Sequence, residues 1–243
     1  MDRKDREEHL ADNHVGFKDV LLVVAKRPAP GRTKTRLSPP LSPAQAATLY
    51  ECFLRDTLDI VRKVPGVLSV IAYLPESDQE YFQALAPDFE TIYQQGQSLG
   101  ARLDYCLTSY LSQGFRSAVI MSSDAPTLPS EYLVDSFRLL EEGADVVIGP
   151  CDDGGYYLIG LKRPAPRLLR EVRMSTSHVT ADTLALAREE GLEVALLPTW
   201  YDVDDAQSLS RLVGELYGFP HEIGCATRLL LESAPFTPFR FEK

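Results

Sequence analysis

The amino-acid sequence predicts an α/β protein: one domain with a mostly parallel central sheet and helices on both faces. Three observations carry this reading. Apolar runs of strand length recur at residues 20–25, 67–74, 118–121 and 145–148. Segments with apolar residues three and four apart separate them, which is the spacing of a helix packed on a sheet. The order runs strand, helix, strand as far as residue 148, and such crossovers join parallel neighbours.

Residues 20–25 (V-L-L-V-V-A) are apolar at every position, as in a strand covered on both faces. Pro28, Pro30 and Gly31 then exclude a helix and make residues 26–36 a loop. In residues 43–64 Ala46, Leu49, Tyr50, Phe53, Leu54, Leu58 and Val61 form one apolar stripe. A strand at 67–74, a short helix at 78–86 and a short strand at 91–93 follow. Residues 99–111 form a helix with Leu103, Cys106, Leu107 and Tyr110 inward. A strand at 118–121, a helix at about 130–142 and strands at 145–148 and 156–161 come next. A helix near 180–190, a strand at 194–197 and a helix near 206–217 complete the pattern. Residues 1–18 read as a polar N-terminal tail, 19–218 as the domain, and 219–243 as a C-terminal tail or surface attachment.

The chain has 243 residues, 44% hydrophobic and 25% charged, with a formal net charge of −10, the composition of an ordinary soluble globular protein. That acidity argues against nucleic acid or an anionic membrane as a partner, since either needs a broad basic surface. No apolar stretch approaches spanning length and the first residues lack a signal-peptide core, so a cytoplasmic location is expected. Cys52, Cys106, Cys151 and Cys225 are widely spaced, without C-x-x-C or clustered His, and read as free thiols. Oligomeric state has no signature here.

Against this background, residues 26–36 (K-R-P-A-P-G-R-T-K-T-R) carry five Lys or Arg and no acid; without them the chain's charge would be −15. The segment follows a strand, and in open α/β sheets ligands sit beyond the carboxyl ends of strands. It therefore reads as a seat for a phosphate-bearing ligand. Acids also gather at strand ends. Asp124 follows the strand ending at Met121, Asp152 and Asp153 follow the next, and Asp202, Asp204 and Asp205 follow the last. Gathered on one sheet edge, these groups are the components of a metal-bridged phosphate site, with carboxylates on Mg²⁺ or Mn²⁺ and cations on the remaining oxygens. Asp205 also suits a helix N-cap, and adjacent Asp152 and Asp153 point in different directions, so at most one faces the ligand. Of Tyr156 and Tyr157, alternation puts one in the core.

The ordered motifs A-K-R-P-A-P-G-R-T-K-T-R-L-S, G-x-S-L-G-A-R-L, S-S-D-A-P-T-L, G-P-C-D-D-G-G-Y-Y-L-I-G-L, M-S-T and W-Y-D-V-D resemble the DUF2064 family, over roughly residues 20–215. That family is a branch of the GT-A-like nucleotide-diphospho-sugar transferase superfamily, which also holds nucleotidyltransferases. Among these is the 2-phospholactate guanylyltransferase group, whose K-x-R-L-S element resembles residues 34–38. The resemblance implies phosphate contacts from Lys26, Lys34 and Arg36 in the loop containing Gly31, and nucleotide or ribose contacts around Leu99, Gly100 and Arg102. It implies a metal role for Asp124 and a second acidic ligand from Asp202 or Asp204. The expected function is metal-dependent transfer of a sugar from a nucleotide-diphospho-sugar to a small acceptor. Asp153 would orient or deprotonate the acceptor, with Gly154, Gly155 and Tyr156 at the sugar. The alternative is a nucleotidyltransferase acting on a nucleoside triphosphate. The loop has Gly31 alone among prolines rather than a Gly-rich nucleotide signature, which leans toward the sugar-nucleotide. Two further readings remain. Residues 96–100 fit G-x-S-x-G, so Ser98 with Asp124 and His178 or His221 would make a serine hydrolase, although Ser98 is equally a helix N-cap. A nucleotide-binding regulator without turnover would carry the same residues.

Overall fold

A computed structural model describes residues 16–233 and 236. In chain order it contains β1 (Asp19–Lys26), α1 (Pro43–Arg62), β2 (Val67–Leu74), α2 (Gln79–Leu85), β3 (Glu90–Tyr93), α3 (Leu99–Leu111), β4 (Ser117–Met121) and α4 (Ser130–Glu142). There follow β5 (Val146–Pro150), β6 (Tyr156–Leu161), α5 (Pro166–Arg170), α6 (Val179–Glu189), β7 (Val194–Leu196), α7 (Ala206–Leu216) and α8 (Cys225–Glu232). The start signals are local. Ser42 and Gln45 form a capping box ahead of Pro43, and Ser98 accepts a hydrogen bond from the Ala101 N–H at the head of α3. Asp205 and Ser208 cap α7 reciprocally, as the sequence suggests for Asp205.

The seven strands lie in the order β3-β2-β1-β4-β6-β5-β7. All neighbours are parallel except β6, which runs antiparallel to both β4 and β5. The carboxyl ends of the other six strands therefore share one edge with the amino end of β6, and the 151–155 turn lies on that edge. Alternate β1 side chains feed two cores. Leu21 and Val23 pack with Leu54 and Leu58 of α1 and Leu133 and Leu140 of α4. Val20 and Leu22 pack on the other face with Leu103 and Leu107 of α3 and Leu168 and Leu169 of α5. A third core joins Leu37, just beyond the basic loop, to Leu49 and Phe53 of α1, Leu209 and Leu212 of α7 and Leu231 of α8.

The sheet and the long helices match the expectation, with small shifts of boundary. Two short helices, α5 and α8, do not appear in the sequence reading. Within the segment read as a tail or attachment, residues 225–232 form a helix whose first N–H groups are held by Asp56 of α1: Ala226 N to Oδ1 at 2.8 Å and Thr227 N to Oδ2 at 2.9 Å. Residues 1–15 of the expected N-terminal tail, with 234–235 and 237–243, lie outside the described residues. Among the described residues no helix is long and apolar enough to cross a membrane. All four cysteines are free thiols.

Candidate functional site

A cavity of about 660 Å³ opens at the sheet edge where the strands end, large enough for a nucleotide-sized ligand. Its first wall is the basic loop. Beyond β1 the chain turns as Arg32 and Thr33 donate N–H bonds to the Ala29 carbonyl, at 3.0 and 3.2 Å. Lys34 then takes a left-handed conformation (φ 47°, ψ 43°), and Leu37 is fully buried below. Lys26, Arg32, Lys34 and Arg36 line the cavity. Among the described residues Lys26, Arg32 and Arg36 make no ion pair, whereas Arg27 turns away to Asp78. These three cations remain available to an anion.

The second wall is acidic. Tyr50 ties the ends of β1 and β4 together, accepting from the Lys26 N–H at 3.2 Å and meeting Ser123 Oγ at 2.9 Å. The Val203 N–H donates to the Asp124 carbonyl at 2.9 Å, bringing residues 202–204 beside the β4 loop. Lys34 Nζ enters the acidic group, 2.8 Å from Asp124 Oδ1 and 2.7 Å from Asp204 Oδ1, with only 5% of its side chain exposed. Burial alone would lower the Lys34 pKa, but the two carboxylates outweigh it and hold the ammonium above its ordinary value. Asp202 accepts a bond from Ser122 Oγ at 3.2 Å. Burial pushes its carboxyl up to about 8, helped by repulsion from Asp124 and only partly offset by Lys34. One ammonium thus sits among three carboxylates, and burial together with the surplus negative charge favours the protonated form of Asp202.

Most expected site residues meet here: Lys26, Lys34, Arg36, Leu99, Arg102, Asp124, Asp153, Gly155, Tyr156, Asp202 and Asp204 all line the cavity. Four placements differ. Lys34, expected on phosphate, is ion-paired to Asp124 and Asp204. Gly31 (φ +71°) has open space around it and serves the turn rather than the cavity wall. Gly100 lets α3 approach α5, since a Cβ there would fall 1.8 Å from the Leu169 carbonyl oxygen. Gly154 (φ +88°) is pressed against Ser177, with the carbonyl oxygen 2.0 Å from where a Cβ would stand. Among the described residues no group of three or more His, Cys, Asp or Glu side chains is arranged as a ready metal cage.

Asp153 Oδ1 accepts the Gly155 N–H at 2.8 Å, while Asp152 pairs with Arg211 at 2.7 Å outside the lining, so one of the two faces the cavity as expected. Tyr157 is the more buried of the tyrosine pair, its hydroxyl donating to the Pro198 carbonyl at 3.0 Å. Arg32, Tyr50, Gln94 and Ser122 were not singled out from sequence; Arg32 was visible as a charge in the loop, while Tyr50 is indistinguishable there from the apolar stripe of α1. Neither Ser98, His178 nor His221 lines the cavity, and Ser98 Oγ is occupied by the α3 cap, so no hydrolase triad forms.

The DUF2064 family model, described as an uncharacterized protein conserved in bacteria, matches residues 57–176. The chain is 31% identical over 192 residues to 2-phospho-L-lactate guanylyltransferase of Methanothermobacter thermautotrophicus, covering 74% of this chain and 78% of that protein. Among solved structures, a protein of Desulfovibrio desulfuricans G20 described as a nucleotide-diphospho-sugar transferase shares 30% identity. It gives a TM-score of 0.85 and covers 93% of this chain and all of that one. A cytidylyltransferase from Leptospira borgpetersenii, at 12% identity, shares the fold with a TM-score of 0.56 over 93% of this chain and 98% of its own.

Proposed function

The chain belongs to the DUF2064 family and is a transferase with a GT-A-like fold; on that premise we propose that it is a nucleotidyltransferase, moving a nucleoside monophosphate from a nucleoside triphosphate to a small acceptor. Sequence reasoning put glycosyl transfer first, and the likeness to a guanylyltransferase moves the choice to the alternative. The observation that carries the reading is that Lys26, Arg32 and Arg36, which make no ion pair among the described residues, line one cavity with the Lys34–Asp124–Asp204 cluster.

Lys26, Arg32 and Arg36 would bind the triphosphate through charge-assisted hydrogen bonds. A divalent cation fits the acidic wall, because the side chains of Asp124, Asp202 and Asp204 that line it offer hard carboxylate oxygens. Asp124 with Asp202 or Asp204 would hold Mg²⁺ or Mn²⁺, which supplies charge neutralisation at the phosphates. The acceptor oxygen forms a bond to the α-phosphorus, the bond to the β-bridging oxygen breaks, and pyrophosphate leaves toward the cationic loop. Asp153, held by the Gly155 N–H, would orient the acceptor. Guanosine triphosphate is the first candidate donor, from the guanylyltransferase likeness.

The Desulfovibrio likeness favours a second reading, transfer of the sugar from a nucleotide-diphospho-sugar. Products separate the two without knowledge of the acceptor, because water can replace it slowly. Pyrophosphate and nucleoside monophosphate from a triphosphate are expected. Nucleoside diphosphate from a nucleotide-sugar, with no pyrophosphate from any triphosphate, would overturn the proposal in favour of glycosyl transfer.

A further inference from the structure

We propose that Lys34 and a divalent cation compete for one seat between Asp124 and Asp204, so that the free protein holds its carboxylates with its own ammonium and takes up metal as nucleotide draws Lys34 away. The inference rests on the reading above in taking Asp124 and Asp204 as metal-binding groups. It deepens that reading by making metal and nucleotide binding mutually dependent.

The seat is built for a cation. Lys34 Nζ touches Oδ1 of both acids, at 2.8 and 2.7 Å, from residues far apart in the chain. Its stem is buried and its ammonium stands 5.9 Å from the Phe53 ring centre. The left-handed Lys34 backbone is a conformation that a non-glycine residue keeps only where its surroundings enforce it. A metal on the same two oxygens would meet the ammonium at close range, and that repulsion weakens each cation's hold while the other is present.

Lys34 lines the same cavity as the unpaired cations Lys26, Arg32 and Arg36, and its four-carbon stem carries a mobile point charge. A polyphosphate bound on that wall offers anionic oxygens to replace the carboxylates. Once Lys34 transfers to them, Asp124 and Asp204 are left facing each other uncompensated and bind a divalent ion. Linkage makes the effect reciprocal: metal in the seat frees Lys34 for phosphate and tightens the nucleotide.

The test is Mn²⁺ binding to nucleotide-free protein, followed by the paramagnetic signal of the free ion. Lys34→Met should bind Mn²⁺ about tenfold or more tighter than wild type, because the competitor is gone and the carboxylates remain. Lys34→Arg, which keeps a cation, should bind no tighter than wild type. Equal or weaker Mn²⁺ binding by Lys34→Met would overturn the proposal. A second measurement needs only wild-type protein with ¹⁵N-lysine. The buried ammonium gives a solvent-protected cross-peak, which should shift or vanish when Mg²⁺ and α,β-methylene guanosine triphosphate are added together; an unchanged peak at saturation would also overturn it. Neither readout involves turnover. Loss of the nucleotidyltransferase reading would show as absent pyrophosphate with these binding results intact, and the reverse failure is equally distinct.

Discussion

Lys34 Nζ lies 2.8 Å from Asp124 Oδ1, joining the basic loop after β1 to the acidic loop after β4. The two motifs that carry the site's opposite charges are thus one hydrogen-bonded unit. Asp124 is also the more replaceable partner structurally, since a third of its side chain is exposed and Lys34 keeps Asp204 if it is lost. Asp124→Asn should therefore leave the fold intact while lowering metal-dependent pyrophosphate release on the order of 10²-fold, the cost of removing one group that stabilises transition-state charge. Circular dichroism alongside the pyrophosphate assay checks both halves. Wild-type turnover in the variant would remove Asp124 from the site.

Arg36 and Arg32 make a different case, because among the described residues neither makes an ion pair and both line the cavity. Each substitution to Ala should weaken a nucleoside triphosphate by about 1.5–3 kcal/mol, the range for a hydrogen bond to a charged group. The loss should shrink as salt screens the exposed pair. Calorimetric titration at two ionic strengths measures it. Unaltered affinity in both variants would make the loop a solvated charge run.

The raised Asp202 pKa makes a statement about stability. A carboxyl whose folded pKa lies above its ordinary value binds protons more tightly in the folded state. Its contribution is present in full below the ordinary carboxylate range near 3.8 and is lost as pH rises through about 8. Asp202→Asn cannot ionise, so its melting temperature should gain on wild type as pH rises from about 5 to about 9. A constant gap between the two melting curves across that range would show that burial and Asp124 do not perturb Asp202 as described.

Hydrophobic periodicity made the frame legible: β2 and α3 stand at the residues that apolar spacing marks, because a strand buried on both faces and a helix on a sheet write their packing into local sequence. Asp124 and the basic loop were legible because acids or cations placed just past an apolar run must sit on the sheet's rim. The antiparallel setting of β6 was implicit, since the five residues 151–155 are too few for a crossover. Long-range pairings were not legible. The Lys34–Asp204 contact spans 170 positions, and no local signal tells a phosphate-binding lysine from one held by carboxylates. Gly100, which the resemblance places near the nucleotide, shows the same limit: its missing Cβ makes room for the Leu169 carbonyl, a packing need that no local signal reveals. Helix α8 escaped because its N-terminal partner, Asp56, is supplied by α1.

That last arrangement yields a stability prediction away from the chemistry. The residue at the head of α8, Gly224, has no side chain to cap the helix, and Asp56 does so from a distance, accepting the Ala226 and Thr227 N–H groups through its two oxygens. Asp56 is 3% exposed, and burial pushes its carboxyl above the ordinary range even though those N–H bonds favour the charged form. Asp56→Ala strands both donors and should cost about 1–2 kcal/mol, the upper part of the range for losing an N-cap. Because α8 places Leu231 in the core that also holds Leu37, the loss should spread to the end of the basic loop. Hydrogen exchange should then quicken in 225–232 first and in 35–41 to a lesser degree, with the sheet unaffected. Asp56→Asn keeps one acceptor and should fall between the two. If Asp56→Ala melts with wild type and 225–232 exchange at the wild-type rate, α8 is held by its apolar face alone and the carboxylate is dispensable.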